Sequence, residues 1–503
     1  MRARRGAVAA GHPLTARAGA DALRAGGNAV DAALAAVLVS CVAEPLLTGL
    51  GAGGYLLVAA PGGECTLLDF FVEAPGRGVE PQSASQLRAV EVSFGDAAQV
   101  FHIGAATVGT YGVPAGICAA ARRWGSLPLS ELAAPAARLA REGVVLNATQ
   151  AYVFDILGAI ITDTPEVAHL FAIDGRPARE GDRLVNPALG TLLERLGAEG
   201  DDPFYRGDIA AAICDFCQPL GSLLTAEDLA AYRAIERTPV RVAYRGREVL
   251  SNPPPSAGGI LIAHALALLE AAPAPHDAKQ LLAAMETAQS ARTLEFLDGL
   301  AQSGFLERFL AAGGAPGRPG GTGATTHISA IDADGLACAV TCSNGEGCGV
   351  VVPGTGIHLN NVLGEEDLNP FGFHRHPPGR RLPSMMAPTI VLGPDGMTPE
   401  LALGSGGSNR IRSAILQVIL NVVDGGLALG EAVGAPRIHV EEGVVYAEPG
   451  YPEDALAQSK RRLVRFHERN LFFGGVHTVA RDRAAGSLEG AGDPRRGGAV
   501  ALA

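Results

Sequence analysis

Layered β-sheets flanked by helices are the fold class that this sequence predicts. Short alternating runs come in pairs joined by turn residues, as 55–60 and 64–70 do around Pro61-Gly62-Gly63. Helical stretches are interleaved with them. The clearest is 410–423, where Ile411, Ala414, Ile415, Val418, Ile419 and Val422 fall on one stripe. Composition agrees: of 503 residues 48% are apolar and 18% charged, which suits a large packed core and not a disordered chain.

In chain order, 15–25 reads as a helix broken at Gly26-Gly27, and Asn28 caps the next one, which runs to about residue 42 with an Ala-rich face. Residues 47–54 are rich in glycine. They lack the Lys-Ser/Thr ending of a phosphate-binding loop and lead into a strand, so close backbone packing is their expected use. Helices follow at 115–124, 129–142, 189–196 and 208–217, and Thr225-Ala226-Glu227-Asp228 has the pattern that caps a short one. Residues 237–251 alternate like a strand pair around Tyr244-Arg245-Gly246. Pro253 to Gly259 make a rigid turn into a helix at 260–270, and 279–310 is largely helical. Strands are expected at 388–392 and 399–403. Gly404-Ser405-Gly406-Gly407-Ser408-Asn409 then reads as a turn before the 410–423 helix.

Several function classes are disfavoured. A net charge of −12 with no basic run argues against nucleic acid as a partner. No apolar run reaches the roughly 18–20 residues that span a bilayer; the nearest, 29–42, contains Asp31 and ends at Glu44. The start, Met1-Arg2-Ala3-Arg4-Arg5, is basic, but the apolar stretch after it is too short for a secretion signal, so a cytoplasmic protein is expected. Eight cysteines scattered through a long chain suggest reduced thiols, and Cys214-Asp215-Phe216-Cys217 is a lone pair with no neighbouring His. No motif calls for a cofactor or a metal.

The stretch with chemical promise is Ala324-Thr325-Thr326-His327-Ile328-Ser329. It alternates as a strand, with Thr325, His327 and Ser329 on one face, and Asp332-Ala333-Asp334-Gly335 turns it into a second strand at 336–341. A Gly- and Pro-rich run, 313–323, leads into it. An accessible segment running straight into a strand that opens Thr-Thr suits an enzyme whose nucleophile is released as a new N-terminus. An ordinary exposed hairpin is the alternative.

Nearly the whole chain resembles the γ-glutamyltransferase (γ-glutamyl transpeptidase) family of N-terminal-nucleophile hydrolases. The resemblance rests on the order of several motifs. Ala25-Gly26-Gly27-Asn28-Ala29-Val30-Asp31 comes first, then Asp182-Arg183-Leu184-Val185-Asn186-Pro187, Phe204-Tyr205-Arg206-Gly207 and Leu224 to Tyr232. The Pro253–Gly259 turn, Leu359-Asn360-Asn361, Pro388-Thr389-Ile390 and Gly404-Ser405-Gly406-Gly407 complete it. It implies a four-layer αββα sandwich and self-cleavage between Ala324 and Thr325. Residues 1–324 would be a large subunit and 325–503 a small one, associated in a single unit. Thr325 would be the nucleophile and, through its freed amino group, the base; with a pKa of about 7.7–8.0 such an amine is partly neutral near pH 7. His327 is then structural. Ser343 stands where the family has a Thr whose hydroxyl meets the nucleophile. Gly406 and Gly407 match the pair whose backbone N–H groups form the oxyanion hole. The substrates implied are a small-molecule amide donor and water or an amine acceptor.

Departures from the family pattern bear on substrate. Where well-studied members have an Arg after Asp-Phe to clamp the α-carboxylate of the glutamyl group, Asp69-Phe70 is followed by Phe71. Where they have a Gln and then an Asp for the α-amino group, this chain has Val362 and Glu365, with Glu366 and Asp367 adjacent. Of the paired serines one is Pro383 and one remains, Ser384. Asn344 is the candidate for a substrate-binding Asn. The segments 344–352 and 290–324 are short, and so is that between Glu365 and Arg381, for which reason the lid of some family members is expected to be absent. Arg380, Arg381 and Arg410 are the nearest substitutes for the missing clamp. Three readings stay open: a γ-glutamyltransferase-like enzyme acting on an amide such as glutathione, an amide acylase with another acyl donor, and an uncleaved non-enzymatic homologue.

Overall fold

The computed structural model describes residues 5–79, 87–93, 98–274, 276–312, 325–369, 371–452, 456, 461–482 and 486–503. The Gly- and Pro-rich run 313–323 and Ala324 lie outside them.

Two antiparallel sheets stack at the centre. The first has seven strands, in the order Ile235–Arg237, Cys65–Phe70, Gly53–Ala59, Ala337–Ser343, Thr326–Asp332, Gly6–Ala10 and Ala499–Leu502. The second has six: Val240–Tyr244, Arg247–Ser251, Thr389–Leu392, Pro399–Gly406, Gly475–Arg481 and Leu488–Ala491. Strand alternation sorts the side chains into two cores. Val8, Leu56, Ile328 and Ala330 face an outer helical layer that includes Pro13–Arg24 and Ala29–Ala43. Ala7, Leu57, Ala339 and Ile331 share a second core with the six-stranded sheet and its own helices, Gly258–Glu270, Ala278–Ser290 and Arg410–Val423. Helix, sheet, sheet and helix give the expected αββα sandwich. Both sheets draw strands from before and after Thr325.

The first family motif has a local reason. Asn28 Oδ1 accepts from the N–H groups of Val30 and Asp31, at 2.8 and 3.0 Å, while the Asp31 carboxylate accepts from Asn28 N–H at 2.9 Å and from Ser126 and Leu127. A closed capping box of this kind starts the fully buried Ala29–Ala43 helix. Asp332 ties that helix to the central hairpin: one of its carboxylate oxygens accepts from Leu336 N–H inside the turn, the other from Ala29 N–H.

One expectation is corrected. The strand expected to end at 403 continues to Gly406, so three residues of the supposed turn belong to the sheet. The glycines serve sheet-to-sheet approach: a Cβ on Gly404 would lie 2.3 Å from the His327 ring, and one on Gly406 2.1 Å from the Thr325 carbonyl oxygen. Gly407, at φ +113°, makes the actual turn. Residues 279–310 form three helices, Ala278–Ser290, Leu294–Gly299 and Phe305–Ala312. The CxxC cysteines end the Asp208–Cys217 helix with both thiols in the apolar core.

Candidate active site

Thr325 sits at the head of the Thr326–Asp332 strand, almost wholly buried, where the two sheets are pressed together. Its Oγ1 donates to Ser343 Oγ at 3.4 Å, and Ser343 Oγ also accepts from Gly345 N–H at 3.0 Å. Its carbonyl oxygen accepts from Arg496 Nη1 at 3.2 Å and abuts Gly406. On the opposite face of the strand Thr326 Oγ1 donates to Glu44 Oε2 at 2.6 Å, and Thr15 Oγ1 donates to Glu44 Oε1 at 2.8 Å. Burial pushes the Glu44 carboxyl up, while these two hydroxyls oppose the shift.

His327 has both ring nitrogens occupied, Nδ1 at 2.8 Å from Thr341 Oγ1 and Nε2 at 2.9 Å from Ser329 Oγ. Burial, with His477 nearby, drives its pKa well below the usual imidazole value. It is a neutral strut between strands, with neither nitrogen left to take a proton from Thr325.

A narrow pocket opens beside Thr325. Five residues singled out in the sequence converge on it: Phe71, Thr325, Ser343, Glu365 and Ser384. Leu368, Met385, Met386, Ser408 and Ile411 complete the wall, and no Arg or Lys lines it among the described residues. Ser384 Oγ accepts from Met386 N–H, which fixes the segment carrying both methionines. Asn344 is not part of this wall. Its side-chain amide donates to the carbonyls of His358 and Leu359 and so braces the neighbouring loop.

Phe71 is buried and stacks on Tyr55, ring centroids 5.4 Å apart. The three arginines named as substitutes for the clamp are engaged elsewhere. Arg381 holds the Phe71 carbonyl and pairs with Asp69 and Glu73. Arg380 and Arg381 line a separate cleft with Arg237, Pro254, Pro255 and Gln302. Arg410 donates to the Phe472 carbonyl and lies 4.5 Å from the centre of its ring.

The acidic cluster splits. Glu366 is exposed. Asp367 is buried against Arg292, which bonds its carboxylate and, at 2.6 Å, its carbonyl. Glu365 faces the pocket; burial first, then Glu346 and Asp367, hold its carboxyl well above the usual carboxylate range. Sequence reasoning missed Arg292, Arg496, Glu44 and Ser408. Arg292, Arg496 and Glu44 come to the site from distant elements and stand in no motif that marks them, whereas Ser408 directly follows the Gly406-Gly407 pair.

A buried threonine heading a central strand, hydroxyl on hydroxyl and with glycine backbone against its carbonyl, within an αββα sandwich, defines an N-terminal-nucleophile hydrolase. The family model for gamma-glutamyltranspeptidase matches residues 15–310 and 307–503, and the chain belongs to that family. It is 33% identical over 549 aligned residues to the glutathione hydrolase proenzyme of Escherichia coli K12, covering 98% of this chain and 91% of that one. It is 34% identical to the acylase ACY 1 proenzyme of Pseudomonas sp. SE83, covering 90% and 86%. Among solved structures, the cephalosporin acylase of Bacillus halodurans superposes with a TM-score of 0.83 at 28% identity, over 100% of this chain and 96% of that one. The chain is thus an enzyme of a family of hydrolases and acyltransferases. Among the described residues no helix is long and apolar enough to cross a membrane.

Proposed function

We propose that the chain is a precursor that cuts itself between Ala324 and Thr325 and then uses Thr325 to hydrolyse or transfer an acyl group held in amide linkage, the favoured acyl group lacking an α-carboxylate at the position Phe71 occupies. The observation that carries this reading is the pocket wall, where an aromatic ring stands in place of the expected guanidinium and no other cation takes its place among the described residues. A carboxylate buried there without a partner costs several kcal/mol. The free Thr325 amine would take the hydroxyl proton, Oγ1 would attack the amide carbonyl, and Ser343 Oγ would orient the attacking hydroxyl. The N–H groups of Gly406 and Gly407, at the end of the Pro399–Gly406 strand and in the turn after it, would meet the developing oxyanion. Water or an amine then resolves the acyl-enzyme. Because both sheets mix strands from the two sides of the cut, the subunits stay together after it. A reducing, cytoplasmic setting suits the eight free cysteines.

A γ-glutamyl donor is the second reading, supported by the Escherichia coli relative and by the presence in the pocket wall of Glu365, a carboxyl that would pair with the donor ammonium. Denaturing electrophoresis of wild type and Thr325→Ala tests the cut: two bands are expected from the first and one from the second. Assay of the purified enzyme on glutathione, a γ-glutamyl anilide and simple acyl anilides tests the donor. A Thr325→Ala protein that still divides would refute the assignment of the nucleophile.

A further inference from the structure

The guanidinium of Arg496 lies in a nest of glycine backbone directly behind Thr325. Its Nη1 donates to the Thr325 carbonyl at 3.2 Å and its Nη2 to the Leu471 carbonyl at 3.5 Å. Three glycines make room for it. A Cβ on Gly475 would sit 2.6 Å from its Cδ, and Cβ atoms on Gly406 and Gly407 would lie 3.0 and 3.3 Å from its two terminal nitrogens. The side chain is buried, yet among the described residues no carboxylate stands within ion-pairing distance, and its Nε has no hydrogen-bond partner. Burial lowers its pKa only to about 10, so it remains a cation at neutral pH. An arginine enclosed at this cost, with one nitrogen unpaired, is placed by what it does for Thr325.

We propose that Arg496 is a positioning residue for the nucleophile: it fixes the Thr325 carbonyl, and thereby the direction of the amino group and hydroxyl, and its charge keeps the freed amino group unprotonated at neutral pH. The inference rests on Thr325 being the nucleophile. The amino nitrogen is two covalent bonds from the carbonyl carbon whose oxygen Arg496 holds, so the cation stands within a few ångströms of it. A cation there disfavours a second positive charge and lowers the pKa of the amine. The other charged or titratable groups around the site are weaker claimants. Asp493, the anion that acts most on Arg496, is already paired with Arg437 and Arg495, and the Glu44 carboxylate accepts from Thr15 and Thr326. Glu365 lies across the pocket with its carboxyl held toward the neutral form, and Arg410 is bound to Phe472. Burial keeps His327 and His477 neutral.

The test compares wild type, Arg496→Lys and Arg496→Met as full chains, with Thr325→Ala alongside. Self-cleavage is timed by electrophoresis, and kcat and KM are measured across pH on an acyl anilide. With the charge gone, Arg496→Met should cut itself at least tenfold more slowly, and the acid-side midpoint of its kcat/KM profile should rise by about one pH unit. Arg496→Lys keeps the charge but loses the fork, so its midpoint should stay within about 0.3 unit of wild type while kcat falls about tenfold and KM holds. A wild-type midpoint in Arg496→Met, or one displaced equally in Arg496→Lys, overturns the proposal. If Arg496→Met does not accumulate in soluble form, Arg496→Lys decides alone: a retained midpoint with reduced kcat supports it, and a moved midpoint or an unchanged kcat overturns it. Thr325→Ala separates the two failures. Cutting in that variant overturns the nucleophile and this inference together, whereas an uncut Thr325→Ala beside wild-type behaviour at 496 overturns this inference only.

Discussion

Replacing Phe71 by Arg should convert the enzyme toward γ-glutamyl donors. The new guanidinium would enter a pocket that has no cation among the described lining residues, at the position where relatives clamp the donor carboxylate. A charge-assisted hydrogen bond to a carboxylate is worth about 1.5–3 kcal/mol, or roughly 10–150-fold in kcat/KM. Two features of the site reduce that figure. The stacking of Phe71 on Tyr55 is lost, about 0.5–1.5 kcal/mol. Glu365 lines the same pocket, and an adjacent cation would draw its carboxyl back toward ionisation and compete for the guanidinium. The expected gain is therefore near the lower end, about tenfold on γ-glutamyl anilide, with a fall on simple acyl anilides and a lower Tm. The assay is kcat/KM for both donors in wild type and Phe71→Arg, with electrophoresis to show that the variant has cut itself. The reasoning fails if wild type already handles γ-glutamyl anilide as well as its best alternative donor. It fails equally if a fully cut, folded Phe71→Arg shows no gain.

Other substitutions probe the support of the site. Ser343→Ala should keep the fold while slowing both self-cleavage and turnover, since its hydroxyl meets that of Thr325 at 3.4 Å; wild-type rates would remove it from the site. Arg292→Met leaves the buried Asp367 carboxylate without its cation and should destabilise by about 3–5 kcal/mol, read from denaturant midpoints; a loss below about 1 kcal/mol would show that the pair does not anchor this segment. Glu365→Gln tests pH dependence. The folded carboxyl holds its proton to higher pH than in the unfolded chain, so stability from this group is present below the ordinary carboxyl range and is lost as pH rises toward the raised value. Gln mimics the protonated form, so the stability of the variant relative to wild type should grow by up to about 1.4 kcal/mol per pH unit in that window. A relative stability that stays constant between about pH 5 and 8 would mean that Glu365 titrates normally.

Much of the frame was legible because local chemistry and long-range packing agree in it. The 326–343 hairpin follows from alternation plus an Asp-Gly turn, and Asn28, Thr225 and the 410–423 stripe each carry their own signal. Other elements carry none. Gly6–Ala10 is an Ala-rich strand buried on both faces, so it shows no alternation between apolar and polar residues. The glycines at 404 and 406 look like a turn because their cause, His327 and the Thr325 carbonyl, lies on the other sheet. The same limit applied to the site. Thr325, Ser343, Glu365, Ser384 and Phe71 were reached through motifs, whereas Arg292 and Arg496 act across 75 and 171 residues of chain.

The pocket divides the work between parts with different tolerance for change. Ser343 and Gly406 belong to central strands and Thr325 heads a third, where the two sheets pack together, so substitutions there disturb both sheets. Phe71 is different. Its N–H donates to Asp69 Oδ1 at 3.0 Å, and its carbonyl accepts from Tyr232 at 2.7 Å and from Arg381. Asp69 is in turn held by Arg237 at 2.7 Å and Arg381 by Glu73 at 3.4 Å. This network anchors the main chain at position 71 without using the side chain, which stacks on Tyr55 and forms part of the pocket wall. Glu365 sits in a comparable segment, fastened two residues on by Arg292 through Asp367. Donor preference can therefore change by one side chain on a fixed backbone while Thr325 and the Gly406-Gly407 backbone stay in place. This is the physical reason for expecting Phe71→Arg to alter the donor and not the cut: the proposed self-cleavage depends on Thr325 and Ser343, and the one ring contact of Phe71 is with Tyr55 among the described residues.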